Sequence, residues 1–281
     1  RLPADLGAAE GGARWCGCPS VAKRQYMAVA AEGEVVKAIV TADLHIHPFR
    51  ECSLDGGADR LADGLGALRQ TLQAARDRHC SWLCLGDMKH LRDRWLNAVL
   101  NGVLQVFEEY HDVPKFLVPG NHDGTAGGRS GLAALDELSL VSLFEEPTIH
   151  PAPWGDGKVL YWPHQPTLDA LPGWVEKARK DRKVVAVLGH VFIRGSSLGP
   201  DEVRLDKGVP LEAFGLAGKS RAFMTGLFGD IHKMQGIGDG SSGLTWRGPG
   251  LEDGSRHVAF YPGSPCAQNW GERETQRGTL L

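Results

Sequence analysis

The sequence predicts an α/β fold in which crossover helices connect the strands of a sheet. Three times in succession, a short apolar run leads into a polar turn and then into a stretch with helical spacing of its apolar residues. The runs end in Asp, His or Asn, which are side chains that bind metals or carry out acid–base chemistry. The chain has 281 residues, of which 42% are hydrophobic, so one large domain can form a core. We therefore expect functional residues at the carboxyl ends of the strands.

The periodicity of the apolar residues predicts each element in order. Strands are expected at 35–40, 82–85, 116–118, 159–162, 183–188 and 222–228. Helices are expected at 59–78, 94–110, 132–144 and 168–182. A loop of about thirty residues follows His190, and runs at 244–247 and 257–261 are typical of a closing antiparallel sheet. Residues 1–34 lack periodicity, so we expect a poorly structured segment there, with Met27 as a candidate native start, and a single domain over 35–281.

Composition excludes several classes of protein. The net charge of −3, from 31 basic and 34 acidic residues, argues against a globally basic nucleic-acid binder, although an Asp-rich metal site is compatible with a nucleic-acid substrate. No apolar run approaches the roughly 20 residues of a membrane span, and the start of the chain lacks the layout of a signal peptide. The six Cys include no C-x-x-C pair, which favours free thiols in a reducing compartment. We therefore expect a cytoplasmic protein.

Five strand ends carry the candidate functional residues. They are Asp43-x-His45, Gly86-Asp87, Gly120-Asn121-His122-Asp123, Gly189-His190 and Gly229-Asp230-x-His232. In D-x-H, both side chains are expected on one face of an extended chain, and each preceding Gly allows the backbone to turn sharply and approach the site closely. Any single ending could be a helix N-cap, a turn or a structural His, but five in this order indicate a site for two divalent ions.

This ordered set resembles the calcineurin-like metallophosphoesterase superfamily, whose pattern runs D-x-H, G-D, G-N-H-D, G-H and G-H-x-H. The resemblance covers about residues 36–281. It implies a four-layer α/β sandwich, in which two mostly mixed β-sheets are flanked by helices.

The resemblance also implies a role for each site residue. The first metal would be held by Asp43, His45, Asp87 and His232. The second would be held by Asp87, Asn121, His190 and Asp230, with Asp87 bridging. Two such ions can bind a phosphate and activate a hydroxide for in-line attack, while His122 protonates the leaving alkoxide. Asp123 is a candidate for orienting His122, and a surface carboxylate is the alternative that we leave open.

The chain departs from the family pattern at Asp230, where the family usually has His. The second metal would then have His190 as its single nitrogen ligand. Because oxygen ligands favour harder cations, we expect a shift from zinc towards manganese or magnesium. The implied cofactors are therefore two divalent ions, with manganese expected and magnesium, iron and zinc as alternatives.

Two further stretches resemble SbcD-type DNA repair exonucleases. Gly229 to Gln235 is similar to their G-x-I-H-x-x-Q segment. Tyr261-Pro262-Gly263-Ser264-Pro265, followed by Asn269-Trp270-Gly271-Glu272 and Arg277-Gly278, is similar to their Y-P-G-S-P…F-G-E…K-G ending. The resemblance implies a manganese-dependent DNA exo- or endonuclease with an SMC-like ATPase partner, although the sequence stops at Leu281, which puts that partner in doubt. A generic phosphoesterase acting on a small phosphoester or nucleotide, and a non-catalytic metal-binding scaffold, are the alternatives.

Candidate substrate contacts flank these motifs. Arg92 and Arg94 follow the second motif and could bind DNA phosphates or simply form a solvated helix start. His164 lies with Trp154, Tyr161 and Trp162 near a candidate substrate loop, where aromatic rings could stack on bases. Core packing is the more common fate of a Trp, and it remains the alternative here.

Overall fold

The computed structural model describes residues 37–49, 60–124, 129–198, 206–217, 225–238, 244–245 and 256–266. The first half of the described chain contains β1 (Ala38–Thr41), α1 (Arg60–Asp77), β2 (Ser81–Cys84), α2 (Asn97–Glu109), β3 (Lys115–Leu117), α3 (Ala133–Glu137) and β4 (Ser142–Leu143). The second half contains β5 (Thr148–Pro151), β6 (Lys158–Trp162), α4 (Leu171–Lys180), β7 (Val184–His190), β8 (Thr225–Gly229), β9 (Gln235–Ile237), β10 (Leu244–Thr245), β11 (Arg256–His257) and β12 (Ala259–Tyr261).

The first sheet consists of β1 to β4 in chain order, and its described strands all pair in parallel. Its first two strands are buried along their whole length. They therefore read as continuous apolar runs rather than as an alternating pattern. Helices α1 and α2 cover one face, where Leu68 and Leu72 share a core with Trp82 and Phe107.

The second sheet is mixed and has the order β5-β6-β7-β8-β12-β9. Strands β6, β7, β8 and β12 run parallel, whereas β5 and β9 pair antiparallel at the two edges. The register places His190 opposite Gly229, so the ends of β7 and β8 lie side by side. Helix α4 covers the outer face through Leu171 and Val175.

The two sheets pack against each other through a shared apolar core. Val40, Leu83 and Val118 from the first sheet meet Tyr161 and Leu188 from the second. The layers are therefore helix, sheet, sheet and helix, and the four-layer α/β sandwich is confirmed. Within the described residues, no helix combines the length and apolarity needed to cross a membrane.

Several element boundaries differ from the sequence-based expectation. The helix expected over 132–144 is limited to α3, because Ser139 has a positive φ of 55° and the chain continues as β4 beside β3. The edge strands β5 and β9 were not predicted, and β12 pairs with β8 in parallel, so the closing segment is only partly antiparallel. Residues 1–34, 218–224, 269–272 and 277–278, and with them the N-terminal segment and the end of the nuclease-like motif, lie outside the described residues.

Candidate metal centre

The ends of strands from both sheets converge around the carboxylate of Asp87. Its Oδ2 lies 3.4 Å from Nε2 of His45 and 3.6 Å from Nε2 of His190. His45 Nε2 is also 3.1 Å from Nε2 of His232, and His190 Nε2 is 3.7 Å from Oδ1 of Asp230. Oδ2 of Asp87 thus faces the imidazole of His45 on one side and that of His190 on the other. This is the position required of a ligand that bridges two metal ions.

Three groups of ligand-type side chains overlap at this centre, and one of them consists of His45, His90 and His122. Asp43, His45 and His232 have ligand atoms within 4.8 Å of one another, and so do Asp43, Asp87 and His190. Asp43 and His190 are buried at the floor of the site. Above them is a cleft of about 330 Å³, which is lined by His45, Asp87, His90, Asn121, His122, Asp230 and His232.

Four of the expected ligands adopt left-handed backbone conformations. The φ values are 54° for Asp43, 43° for His45, 54° for Asp87 and 94° for Asp230. The expectation that D-x-H forms an extended chain is therefore wrong. The backbone N–H groups of Asp43 and His45 donate to the carbonyls of Gly86 and Asp87, at 3.0 and 2.8 Å, which holds the turn against the second loop. Non-glycine residues in this region are strained, and such strain concentrates at functional sites.

The glycines before the ligands allow the close approach that the sequence predicts. A Cβ on Gly120 would lie 2.2 Å from Oδ1 of Asp87, and one on Gly229 would lie 2.0 Å from the carbonyl oxygen of Leu85. Gly86 has a φ of 94°, and a Cβ there would lie 2.2 Å from Nδ1 of His190. A side chain at any of these positions would therefore collide with the centre.

Two buried groups of the centre have raised pKa values. The pKa of Asp43 is raised to about 7, mainly by burial and also by the neighbouring Asp87, while His190 and His232 oppose the rise. Burial alone would lower the pKa of His190, but the carboxylates of Asp87, Asp43 and Asp230 raise it to about 9. Asp43 and His190 thus bind protons more tightly because several carboxylates lie close together. Bound cations would compensate the negative charge of these carboxylates in the same way.

Two buried polar atoms point to the same conclusion. Nδ1 of His190 lies 2.7 Å from the carbonyl oxygen of Leu85, so Nδ1 carries a proton and Nε2 is the ring nitrogen that faces Asp87 and Asp230. That Nε2 and Oδ1 of Asn121 are buried without a hydrogen-bond partner among the described residues. Unpaired buried polar atoms are costly, and three carboxylates, three imidazoles and one amide oxygen form a donor set suited to divalent ions. The residues therefore fit a pair of metal ions.

His122 is held in the cleft by hydrogen bonds at its backbone and its ring. Its backbone N–H donates to Oδ1 of Asp87 at 2.7 Å, and its Nδ1 lies 2.5 Å from the carbonyl oxygen of His90. Since a carbonyl only accepts, Nδ1 carries the proton in this contact, and Nε2 is the ring nitrogen available for proton transfer.

The structure corrects the role expected of Asp123. The side chain is fully buried, so it is not a surface carboxylate. It accepts hydrogen bonds from the backbone N–H groups of Met88, Lys89 and Gly120, at 3.3, 3.2 and 3.0 Å. The ring of His122 is oriented instead by His90, and Asp123 acts on the loops around it.

His90 is a cleft residue that the sequence reasoning missed. Its ring stacks on that of His122 with centroids 5.2 Å apart. Burial, together with His122 and His47, lowers its pKa to about 4, so the ring is neutral near pH 7. A His three residues after a metal ligand in the same turn, as in Asp87-x-x-His90, is the signal that could have identified it.

The expected substrate contacts differ in their placement. His164 is exposed at the cleft edge, with its ring centroid 6.3 Å from that of His190. Arg92 and Arg94 are exposed on the segment before α2. Tyr161 and Trp162 are buried in the core, so base stacking by these two rings is excluded and core packing is correct.

The described parts of the nuclease-like motifs support the ligand segments. Tyr261 donates its hydroxyl proton to the carbonyl of Val191 and accepts from the N–H of Ile193, both at 2.8 Å. Ser264 Oγ lies 2.7 Å from the carbonyl oxygen of Asp43 and 2.6 Å from that of Cys266, and these two oxygens compete for its single proton. Oε1 of Gln235 accepts from the N–H of Ser197 at 2.9 Å. These residues contact the backbone beside Asp43 and His190.

The fold and the site together define a metal-binding α/β sandwich. The family model of calcineurin-like phosphoesterases matches residues 36–217, and the chain belongs to this family, whose members are hydrolases. Among solved structures, the chain is similar to the nuclease MPE of Pseudomonas putida, with 22% identity and a TM-score of 0.31 over 46% of this chain and 55% of that chain. The similarity thus spans about half of that nuclease. A search of curated proteins finds no match.

Proposed function

We propose that this phosphoesterase hydrolyses phosphodiester bonds of DNA as an exo- or endonuclease that depends on two metal ions. The observation that carries the proposal is the position of His122 in the cleft. Asp87 and His90 hold it by hydrogen bonds, so its Nε2 is available to a substrate beside the ligand set. A scaffold that only bound metal would not need an imidazole held in this way.

The residues fit two metal sites that share Asp87. Asp43, His45, Asp87 and His232 would hold one ion, and Asp87, Asn121, His190 and Asp230 would hold the other. A pair of divalent cations would supply Lewis-acid activation of water and would neutralise charge on the phosphoryl oxygens. Because Asp230 offers oxygen, we propose manganese as the preferred metal.

His122 would act on the leaving group. As the bond between phosphorus and the leaving oxygen breaks, the protonated imidazole would transfer its Nε2 proton to that oxygen. The oxygen of the attacking water becomes bonded to phosphorus, its proton is released to solvent, and His122 regains a proton from solvent before the next turnover. The Nδ1–H group remains bonded to the carbonyl of His90, which keeps the ring in one orientation. Arg92 and His164, which are both exposed, would bind the flanking phosphates.

The similarity of 229–235 and 261–265 to SbcD-type exonucleases supports DNA as the substrate. It also extends the proposal to an SMC-like ATPase partner and a cytoplasmic location. A second candidate is a phosphoesterase acting on a small phosphoester. The hydrogen bonds of Tyr261, Ser264 and Gln235 favour this second candidate. They explain the two motifs as structural support of the site, which does not require contact with DNA.

A paired substrate assay separates the two candidates. The purified protein is incubated with manganese and labelled single- or double-stranded DNA, or with p-nitrophenyl phosphate. We expect DNA cleavage that His122→Ala lowers by about 10²- to 10⁴-fold, the usual contribution of a general acid, with metal content retained. The exposed His111→Ala is the matched control and should keep full activity. Activity confined to the small ester would support the second candidate, and inactivity on both substrates would overturn both.

A further inference from the structure

A buried lysine lies directly behind the cleft. Lys89 is only 2% exposed, although it is charged. Its ammonium group donates to the carbonyl oxygens of Leu91, Arg92 and His122, at 2.5, 2.8 and 2.8 Å. An ammonium has three N–H donors, so these bonds use all of them. This complete set makes burial of the charge tolerable.

Asp123 complements Lys89 between the same two loops. Whereas Lys89 binds carbonyl oxygens, the carboxylate of Asp123 accepts from the N–H groups of Met88, Lys89 and Gly120. The bonds of these two side chains, here called the Lys89–Asp123 network, connect loop 87–92 to loop 120–123. The first loop carries Asp87 and His90, and the second carries His122.

His122 is fixed by three bonds, and all of them reach loop 87–92. Its N–H donates to Asp87, its Nδ1 bonds the carbonyl of His90, and its own carbonyl accepts from Lys89. The other two bonds of Lys89, to Leu91 and Arg92, fold the chain just after His90 back on itself. Lys89 therefore holds both the backbone of His122 and the segment that orients its ring.

We propose that Lys89 is a positioning residue that sets the orientation of His122 towards the leaving group. This inference rests on the proposed role of His122 as general acid. Met in place of Lys89 would fill the same space but would leave three carbonyls without their donor. The carbonyl of His122 would then lose its hydrogen bond from Lys89. The carbonyl of His90, which bonds Nδ1 of His122, would no longer be held in a fixed position. The metal ligands keep their own side chains in that variant.

The space around the lysine is matched to its shape. A Cβ on Gly131 would lie 2.5 Å from Cε of Lys89, so the chain passes the lysine stem without room for a side chain. The backbone of Gly131 is held in turn by the carbonyl of Asp123, at 2.7 Å. The backbone at Gly131 therefore packs closely against the side chain of Lys89.

The test compares Lys89→Met with Lys115→Met. Lys115 is likewise buried, at 4% exposure, and donates to the carbonyls of Tyr110 and Val113 at 2.6 and 2.9 Å, at the opposite end of its strand from His122. Both variants should lose thermal stability. Only Lys89→Met should lower kcat per folded molecule, by about 10- to 100-fold, because a small displacement of a catalytic group costs that much. Its KM and metal content should stay at wild-type values.

The leaving group supplies a readout that a general loss of stability does not change. The substrates are the p-nitrophenyl and phenyl esters of thymidine 5′-phosphate, or of phosphate if diesters are not cleaved. Phenolate is the poorer leaving group and depends more on protonation, so Lys89→Met should lose more activity on the phenyl ester. The double variant with His122→Ala should be no slower than His122→Ala alone, because Lys89 acts through His122.

The outcomes decide the inference separately from the proposed function. An unchanged kcat in Lys89→Met, an equal loss on both esters, or a further loss in the double variant would each overturn it. A His122→Ala enzyme with wild-type rates would overturn the mechanism and this inference together. If Lys89→Met does not fold, Lys89→Gln, which keeps two N–H donors, replaces it. We then expect a kcat below wild type with the larger loss on the phenyl ester, and an equal loss would overturn the inference.

Discussion

Glycines packed against the proposed metal ligands leave no room for a side chain, and Gly120 shows this most directly. A Cβ at this position would lie 2.2 Å from Oδ1 and 2.5 Å from the backbone nitrogen of Asp87. We expect Gly120→Ala to displace the proposed bridging carboxylate and to lose at least one metal ion per chain, as measured by elemental analysis of the manganese-loaded protein. Gly124→Ala is the control, because a Cβ there would have nothing within 4 Å. Full metal content in Gly120→Ala would contradict this reasoning.

Asp230 should determine the metal preference of the second site. Its backbone N–H donates to Oδ1 of Asp43 at 3.0 Å, and its φ of 94° aims the carboxylate towards His190. Asp230→His would add a nitrogen ligand, so activity after metal removal should be restored relatively better by zinc than by manganese, compared with wild type. Asp230→Asn keeps an oxygen ligand and should not shift towards zinc. An unchanged ratio of zinc to manganese reactivation in Asp230→His would refute the assignment.

At the scale of an element, β12 supports the metal centre through one hydroxyl group. Tyr261 is buried and bonds both Val191 and Ile193, in the segment that follows His190. Tyr261→Phe should lower the free energy of unfolding by about 1–3 kcal/mol, because it leaves buried backbone groups unpaired, and should weaken metal binding. Thermal denaturation and metal titration measure the two effects.

Tyr161 provides the control for this prediction. It lies in the same sheet, and its hydroxyl is buried without a hydrogen-bond partner among the described residues. Tyr161→Phe should therefore be neutral or slightly stabilising, since it removes an unpaired polar atom. Equal losses of stability in the two variants would show that ring packing, rather than the hydroxyl bonds of Tyr261, is what matters.

The elements also show what the sequence could and could not predict. Strands β1 and β2 were predictable because both of their faces are buried, which leaves an uninterrupted apolar run. The left-handed turn at Asp43 and His45 was not predictable from the local sequence. Its backbone N–H groups donate to the carbonyls of Gly86 and Asp87, which are more than forty residues away. The spacing of apolar residues over 132–144 is equally compatible with one continuous helix and with a short helix followed by a strand. Only pairing with β3 decides between them.

The site residues divide in the same way. Asp87 and His190 were predictable from their place after Gly at a strand end. The roles of Lys89, His90 and Asp123 depend on contacts between two loops that are about thirty residues apart in sequence. A carboxylate beside His122 in sequence suggested a partner for its ring, whereas in the structure a backbone carbonyl is that partner.

For the whole molecule, the metal centre joins the two sheets. Asp43, His45, Asp87 and Asn121 follow strands of the first sheet, whereas His190 ends β7 and Asp230 and His232 follow β8 in the second. Binding of metal should therefore stabilise the packing of both halves. At a free metal concentration of about 100 times Kd, linkage predicts about 2.7 kcal/mol. We expect chelation to lower Tm, manganese to restore it, and Asp87→Asn to respond less to both.

The stability of the metal-free protein should also fall as pH rises above about 7. The folded-state pKa values of Asp43 and His190 are raised from 3.8 and 6.5 to about 7 and about 9. Groups with raised pKa values bind more protons in the folded state than in the unfolded state. Their stabilisation is complete below the unfolded values and is lost as pH rises through the folded values. Below about pH 7, His90, whose pKa is lowered to about 4, changes the stability in the opposite direction. The difference in Tm between the metal-loaded and metal-free protein should therefore widen from about pH 7 to pH 9. A difference that stays constant over this range would mean that cations do not replace these protons.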